Sequence, residues 1–149
     1  MRSTLVEVVL LSARDGALRY RVRRQGLDAR TPDAVAGELA GGPDAELLHS
    51  TSWRFEDGRV VLTYVALPDP RPAGAVPLAP VDPPAGTDPL RPCPSTVDHA
   101  SVAAHACRHL AFLWRTDPLV RAVADRLPEL WPLVDRFEPD VAGVLTLTR

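Results

Sequence analysis

The stretch ELLHSTSWRFEDGRVVLTYVAL, residues 46–67, decides the fold that we predict for this chain. It contains two β-rich runs on either side of Asp57-Gly58, a dipeptide that favours the tight primed turn of a β-hairpin. A two-residue loop sets the register by counting outward from the turn. The expected pairs are Glu56 with Arg59, Phe55 with Val60, Trp53 with Leu62, Thr51 with Tyr64, and His49 with Ala66.

This register collects four side chains on one face of the hairpin: His49, Thr51, Trp53 and Tyr64. Aromatic surface mixed with hydrogen-bonding groups is typical of small-molecule pockets. Core packing, with the polar tips of Tyr and Trp satisfied locally, is the commoner arrangement of the same residue types. The pocket interpretation makes these four residues candidates for ligand binding.

Two further strands precede the hairpin. Residues 4–12 (TLVEVVLLS) are a β-rich run, and Asp15-Gly16 separates them from ALRYRVRRQ, in which apolar side chains alternate with Arg19, Arg21 and Arg23. Such alternation indicates a half-buried strand whose polar face is solvated. The same arginine row could bind an anion, so we add Arg21 and Arg23 to the candidate site for a small anionic ligand.

Residues 31–42, TPDAVAGELAGG, predict a short helix. Thr31 supplies a hydroxyl cap, and Pro32 suits the first helical position. Val35 and Leu39 lie four residues apart and form a narrow apolar stripe. Gly41-Gly42-Pro43 then ends the helix.

The remainder of the chain predicts a connector followed by helices. Ten of the sixteen prolines fall within residues 68–94, which we expect to form a long, stiff loop. We expect Ser95 to cap a helix over residues 96–115 and Asp117-Pro118 to start a second helix. Pro128 and Pro132 break the following residues into short turns, and VAGVLTLT near the end predicts a short strand.

Composition limits the chemistry. The chain has 149 residues, a net charge of −2, and no Lys, Asn or Ile, so all seventeen basic residues are Arg. Without lysine there is no Schiff base and no Walker-type phosphate loop. The slight negative charge disfavours nucleic acid as a partner. The residue bias indicates a GC-rich genome, as in a GC-rich bacterium.

We expect a cytoplasmic protein because no apolar run is long enough for a membrane helix and Glu7 interrupts the early apolar stretch. We interpret Cys93 and Cys107 as free thiols. Residues 1–149 are expected to form one domain.

The order of strand pair, short helix and hairpin resembles the core of the Nudix family over roughly residues 4–67. AVAGELAGGPDAELLHSTSWR, residues 34–54, is similar to that family's metal-binding helix and its exit. The resemblance implies an α+β fold with a Nudix-like mixed β-sheet, a short box-like helix and two C-terminal helices packed over the sheet.

The family's box places Arg-Glu and a second pair of glutamates on one helix to hold Mg²⁺. Here Glu38 and Leu39 match the box, whereas Gly37 replaces its arginine and Gly41 and Gly42 stand where the paired acids belong. Upstream, Arg23 and Ala29 occupy the positions of a glycine and a glutamate. One carboxylate cannot collect the charge that divalent cations need on a pyrophosphate. We therefore expect a non-catalytic, Nudix-like ligand-binding or interaction module with no cofactor.

Two alternatives remain open. The first is a Mg²⁺-dependent, Nudix-type hydrolase of nucleoside diphosphate compounds, in which Glu38 binds metal and the other acids have moved to Glu46, Glu56 and Asp57. The second is a helical interaction module in which residues 96–136 bind a partner, or a second copy to form a homodimer. Exposure of Trp114 and Trp131 would favour it.

Three histidines and both cysteines fall within seventeen residues: Cys93, His99, His105, Cys107 and His109. His105 and His109 lie four residues apart on one helical face, where two imidazoles can share Zn²⁺. Asp98 or Cys93 could supply a third ligand. Because His109 also lies on the apolar stripe, a buried structural histidine is the simpler interpretation, and the two histidines are weak metal candidates.

Overall fold

The computed structural model describes residues 4–79, 98–140 and 143–144 of the chain. The strands are β1 (Leu5–Arg14), β2 (Ala17–Gly26), β3 (Leu47–Glu56), β4 (Arg59–Leu67), β5 (Val76–Pro77) and β6 (Gly143–Val144). The helices are α1 (Pro32–Leu39), α2 (His99–Thr116), α3 (Pro118–Asp125) and α4 (Trp131–Val134). The described strands join into one six-stranded sheet in the order β5-β2-β1-β4-β3-β6. The β1–β4 and β3–β6 pairs are parallel and the other pairs antiparallel, which confirms the α+β class and the mixed sheet.

Both predicted tight turns are present. Asp15 and Gly16 have φ angles of 53° and 74°, and Asp57 and Gly58 have the same two values. Positive φ at both central residues suits the type I′ turn, whose twist matches that of the strands it joins. As a result, β1 pairs with β2 over its whole length without a break.

The register of the β3–β4 hairpin follows the prediction only near the turn. Pairing agrees with it as far as Trp53, after which a β-bulge at Thr51 shifts the register. Beyond the bulge the observed pairs are Ser50 with Tyr64, His49 with Val65 and Leu48 with Ala66. The pairs predicted for Thr51 and His49 are therefore wrong, because one extra residue in β3 turns every later side chain to the opposite face.

The sheet separates two apolar layers. Strand side chains alternate, so Val6 and Val8 of β1 pack beneath α1, whereas Val9 and Leu11 pack beneath the C-terminal helices. We call these two sides the α1 face and the α2 face. The buried residues of the α1 face are Val6, Val8, Leu10, Val35, Ala36, Leu39, Ala40, Tyr64 and Ala66. The larger α2 face includes Val65, Leu67, Val102, Leu110, Trp131 and Phe137.

Helix α1 begins and ends as its sequence predicts. The Thr31 side chain accepts a hydrogen bond from the Ala34 amide at 3.2 Å, and Pro32 is the first helical residue. After Leu39 the chain turns at Gly41, which has a φ of 97°. A Cβ atom at Gly41 would also lie 2.7 Å from Cγ of Pro70, so glycine is required there by conformation and by space.

The C-terminal helices differ from the prediction in detail. The N-cap of α2 is Asp98, whose carboxylate accepts from the Ala100 amide at 2.7 Å. The predicted cap Ser95 lies outside the described residues, and the described helix starts after it, at His99. The predicted cap of α3 is confirmed, since the Asp117 side chain accepts from the Leu119 amide. A further short helix, α4, contains Pro132 in its first turn, where proline costs no hydrogen bond.

The proline-rich segment is not wholly loop. Val76 and Pro77 form the edge strand β5 against Tyr20 and Arg19 of β2. Proline is tolerated there because an edge strand leaves one side of its backbone unpaired. Residues 80–94 of the predicted loop, including Cys93, lie outside the described part. Among the described helices, none has the length and apolar character that a membrane crossing requires.

Candidate functional site

The four hairpin residues predicted to share one face do not come together. Tyr64 lies beneath α1, where its hydroxyl donates to Oδ1 of Asp33 at 2.6 Å. Thr51 is buried at the bulge and donates to the Thr63 carbonyl at 3.3 Å. Trp53 is 39% exposed on the α1 face, whereas His49 contacts His109 on the α2 face. Trp53 and Tyr64 thus share a face, but the bulge turns His49 to the other one, so the structure does not bring the four residues into one pocket.

The phenol of Tyr64 acts as a structural donor. Burial, reinforced by the neighbouring carboxylate of Asp33, raises the pKa of Tyr64 to about 12. The hydroxyl therefore keeps its proton near neutral pH and anchors the start of α1 to β4. Tyr64 therefore has a structural role, which was the alternative to ligand binding in the sequence analysis.

Arg21 and Arg23, in contrast, do line a cavity. Its volume is about 420 Å³ and it lies on the α1 face, between β2, the end of α1 and the chain that follows β4. We call it the arginine cleft, and its lining residues are Arg21, Arg23, Glu38, Leu39, Gly41, Asp44, Pro70 and Arg71. Three of these eight side chains carry a guanidinium group.

The protein holds two of these guanidinium groups in place. Arg21 donates to both carboxylate oxygens of Asp69, at 2.9 and 2.7 Å, and the Asp69 side chain is fully buried. This hydrogen-bonded pair raises the pKa of Arg21. Arg23 donates to the Leu39 carbonyl at 3.1 Å and so caps the end of α1. Fixed donors lose little conformational entropy when a ligand binds.

Arg71 is a residue of the cleft that the sequence analysis missed. Its amide donates to Oδ1 of Asp69 at 2.9 Å, which ties the backbone after β4 to the same carboxylate that holds Arg21. The Arg71 side chain is exposed. The clue in the sequence was the charged pair of Asp69 and Arg71 directly after a buried strand, within a segment that we assigned to a connector.

The acids of the Nudix comparison do not converge. Glu38 is exposed and forms a salt bridge with Arg30. Glu46 binds Arg126 at 2.9 Å, whereas Glu56 lies at the other end of β3, roughly 30 Å away for a strand of this length. Glu46 therefore lies too far from Glu56 for these two acids of the hydrolase alternative to bind the same metal ion. Among the described residues, no three His, Cys, Asp or Glu side chains are arranged to hold a metal ion.

A buried ionic network crosses the α2 face, and sequence reasoning did not identify it. We call it the Glu7 network, and its members are Glu7, Arg24, Arg54, Glu56 and Thr63. Oε1 of Glu7 accepts from Arg54 and Thr63, both at 2.9 Å, while Oε2 accepts from Arg24 at 2.8 Å and Arg54 at 3.2 Å. Arg54 and Arg24 also pair with Glu56. The clue was Glu7, a lone charge within an apolar strand.

The network keeps Glu7 ionised. Burial, the largest single effect, raises the pKa of Glu7, but the hydrogen bonds and charges of Arg54 and Arg24 together lower it below its usual value. Both carboxylate oxygens are fully occupied by donors within the chain. Within the described part of the chain the Glu7 carboxylate therefore has no free acceptor position to offer a ligand, and Nε2 of His99 lies 3.8 Å from its Oε2.

His109 contacts His49 on the same α2 face. The ring centres lie 5.2 Å apart with a tilt of 56°, and the ring of Phe112 stacks on His109 with a centre-to-centre distance of 6.2 Å. Burial lowers the pKa of His109, the hydrogen bond to the Asp140 carbonyl opposes this shift, and the nearby His49 and His105 lower the pKa further. At neutral pH His109 is thus an uncharged imidazole.

The thiol at the centre of α2 is inert. Cys107 is free, as expected, and fully buried. Burial raises the pKa of its thiol far above the ordinary value. Because the thiolate is the reactive form, Cys107 is neither a nucleophile nor a metal ligand near neutral pH.

The helical surface also differs from the prediction. Trp131, expected to be exposed if residues 96–136 bind a partner, is only 5% exposed and belongs to the core. Trp114 is partly buried against the same core. Burial of these rings reduces the apolar surface that an interaction module would present.

Comparison with known proteins identifies no relative of this chain. No protein-family model, curated protein or solved structure matches this chain. The Nudix-like relationship therefore stays a prediction from the sequence.

Proposed function

We propose that this chain is a non-catalytic ligand-binding module, Nudix-like in its core, whose arginine cleft takes a small anion. The observation that carries the proposal is the placement of three guanidinium groups on the wall of one cavity of about 420 Å³. Pockets for small molecules fall in this size range. Planar guanidinium groups are well matched to phosphate and carboxylate oxygens.

The charge of the cleft favours an anion modestly. Arg21 is neutralised by Asp69, and Glu38 by Arg30. Arg23 and Arg71 then face the single carboxylate of Asp44. This leaves an excess of one positive charge for a ligand, which suits a compact group such as a phosphate or carboxylate better than a polyanion.

The arrangement of acids favours binding over hydrolysis. A metal-dependent hydrolase needs several carboxylate oxygens that converge on its cations. Glu38 is the one acid retained from the family's box, and its carboxylate already pairs with Arg30. The Nudix-type hydrolase remains the alternative proposal, with Mg²⁺ as its cofactor.

Calorimetric titration with inorganic phosphate in the absence of divalent metal tests the binding proposal. We expect Arg23→Gln and Arg71→Gln each to weaken binding about tenfold or more, because each removes a charged hydrogen-bond donor worth about 1.5–3 kcal/mol. The matched control is Arg136→Gln, an exposed arginine outside the cleft, which should bind like the wild type. Equal affinities in all four proteins would contradict the proposal.

Incubation with nucleoside diphosphate compounds and Mg²⁺ separates the two proposals. The binding module should give no turnover above a blank without protein. Turnover that disappears in Glu38→Ala would establish the hydrolase instead.

We also propose a cytoplasmic location, with self-association as a homodimer kept as an alternative that light scattering tests. A molecular mass equal to that of one chain at every concentration would rule out the homodimer.

A further inference from the structure

The β-bulge of β3 brings two histidines from distant parts of the chain together. Without it, His49 would share a face with Trp53, on the side of the sheet away from α2. The extra residue at Thr51 turns His49 to the α2 face, where its ring meets that of His109. Bulges commonly re-aim a side chain next to a functional site.

Both rings have the same hydrogen-bonding pattern. Nδ1 of His49 lies 2.7 Å from the Ser50 carbonyl oxygen, and Nδ1 of His109 lies 3.3 Å from the Asp140 carbonyl oxygen. A carbonyl oxygen can only accept, so we assign the proton of each neutral ring to Nδ1. Each Nε2 then carries a lone pair. Histidines that bind metals usually donate their other N–H to a backbone carbonyl or carboxylate in this way.

His109 presents its lone pair without a partner. The residue is 4% exposed, and within the described part of the chain its Nε2 atom has no hydrogen-bond partner. A buried polar atom without a hydrogen-bond partner destabilises the fold, so a ligand, an ion or a water is expected beside it. His49 is half-buried, which leaves a route to the pair from solvent.

The ring separation suits a shared ion. A tetrahedral ion bonded to two imidazole nitrogens at about 2.0 Å holds the two ring centres roughly 5 Å apart. The observed separation is 5.2 Å. His105 lies one helical turn before His109 and is also buried. The described residues offer no set of three ligands already in place, so water would complete the coordination.

We propose that His49 and His109 form a binding site for a divalent transition metal that prefers imidazole, such as Zn²⁺, coordinated through their Nε2 atoms. Neutral imidazole is a preferred ligand of Zn²⁺, Ni²⁺ and Cu²⁺, and the apolar surroundings exclude the hard cations that need many oxygen ligands. This site lies on the α2 face and is independent of the arginine cleft on the α1 face.

Calorimetric titration of the full chain with Zn²⁺ tests the site. We expect one Zn²⁺ per chain, and His49→Gln should weaken its binding at least tenfold. His49 is half-buried, so this variant removes one proposed ligand and leaves the buried side chains of α2 unchanged. His99→Gln removes a histidine outside the pair and is the matched control, with an affinity within about twofold of the wild type.

Three results would overturn the proposal. The first is a wild-type chain that takes up no Zn²⁺, and the second is a His49→Gln variant that binds as the wild type does. The third is binding that Cys93→Ser abolishes while His49→Gln leaves it intact, because the ion would then belong to the thiol. Arg71→Gln should leave Zn²⁺ affinity unchanged, which keeps this test separate from that of the cleft.

Discussion

The α2 face carries two buried polar clusters that differ in how completely their atoms are satisfied. In the Glu7 network, both carboxylate oxygens of Glu7 accept from two donors each. In the histidine pair, Nε2 of the equally buried His109 has no hydrogen-bond partner within the described residues. Both clusters join residues that are far apart in the chain. We call the Glu7 network closed, because the oxygens of Glu7 all have donors, and the histidine pair open, because Nε2 of His109 has no partner within the described residues.

This difference separates a structural role from a binding role. A closed network stabilises only the arrangement that satisfies it, so the Glu7 network specifies how β1, β2, β3 and β4 align. A buried nitrogen without a hydrogen-bond partner makes binding of an ion, a ligand or a water favourable, because the bound group satisfies it. We therefore expect the loss of a polar side chain to destabilise the fold much more in the Glu7 network than in the histidine pair.

The largest loss in the free energy of unfolding is expected from Arg54→Met. Arg54 is 4% exposed and contacts both carboxylates of the network, so its loss leaves Arg24 as the one guanidinium of the network that still pairs with the buried charge of Glu7. Breaking a buried ion pair in this way costs about 3–5 kcal/mol. Urea denaturation measures the change, with the exposed Arg136→Met as control. A loss below about 1 kcal/mol would show that the network does not support the fold.

Acid should remove part of the same stability. The pKa of Glu7 is lower in the folded chain than its usual value of 4.5, and the pKa of Glu56 shifts in the same direction through its hydrogen bond to Arg24. This contribution is therefore fully present above about pH 4.5 and is lost as the pH falls through the folded-state values. The loss should be smaller than in Arg54→Met, since a protonated Glu7 keeps its shape.

Urea midpoints measured at about pH 6 and about pH 3 give the size of the acid effect. In Arg54→Met the difference between the two midpoints should shrink, because the stronger of the two arginine partners that lower the pKa of Glu7 is gone. An unchanged difference would assign the acid sensitivity to other carboxylates.

A smaller effect is expected from Thr63→Val. The hydroxyl of Thr63 donates to Glu7 at 2.9 Å and accepts from Arg54 at 3.2 Å, and valine keeps the shape of the side chain. The expected loss is about 1–3 kcal/mol, measured as a fall in the free energy of unfolding. Thr116→Val, at an exposed site on α2, provides the control and should change stability by no more than about 0.5 kcal/mol. Equal losses of unfolding free energy in the two variants would show that the Thr63 hydroxyl does not contribute to the Glu7 network.

The smallest effect is expected from His109→Met, which mirrors Arg54→Met in the open cluster. Methionine adapts to irregular space and removes the unsatisfied Nε2 atom together with one long hydrogen bond of 3.3 Å. In a metal-free solution we expect a change of about 1 kcal/mol or less. A loss as large as that of Arg54→Met would show that the histidine pair is a closed structural contact, contrary to our comparison.

Local chemistry made much of the fold predictable. Asp15-Gly16 and Asp57-Gly58 each adopt positive φ at small cost, so both hairpin turns could be placed from the dipeptides alone. The start of α1 at Thr31 and Pro32 and of α3 at Asp117 could be placed in the same way, since a cap involves neighbouring residues only. The α+β class followed from the order of these elements.

The candidate sites were less predictable, because they depend on contacts between distant segments. Arg21 and Arg23 were identified from the alternation along β2. Arg71 lies in the segment that we predicted to be a connector, and only the folded chain places it beside them. His49 was assigned to the wrong face because the sequence gives no sign of the bulge at Thr51. Counting pairs outward from a turn fails at the first bulge, and every residue beyond it is then misplaced.

The amino-acid sequence by itself determined where chain reversals, caps and strand faces occur, because each depends on φ preferences and on side chains within a few residues. It also determined, through the absence of lysine, which chemistries the chain cannot use. Only the tertiary structure decided that Glu7 would be enclosed by Arg54 and Arg24 and that His49 would meet His109. The position of a single bulge and the packing of α2 over the sheet set those contacts, and both depend on the free energy of the whole fold.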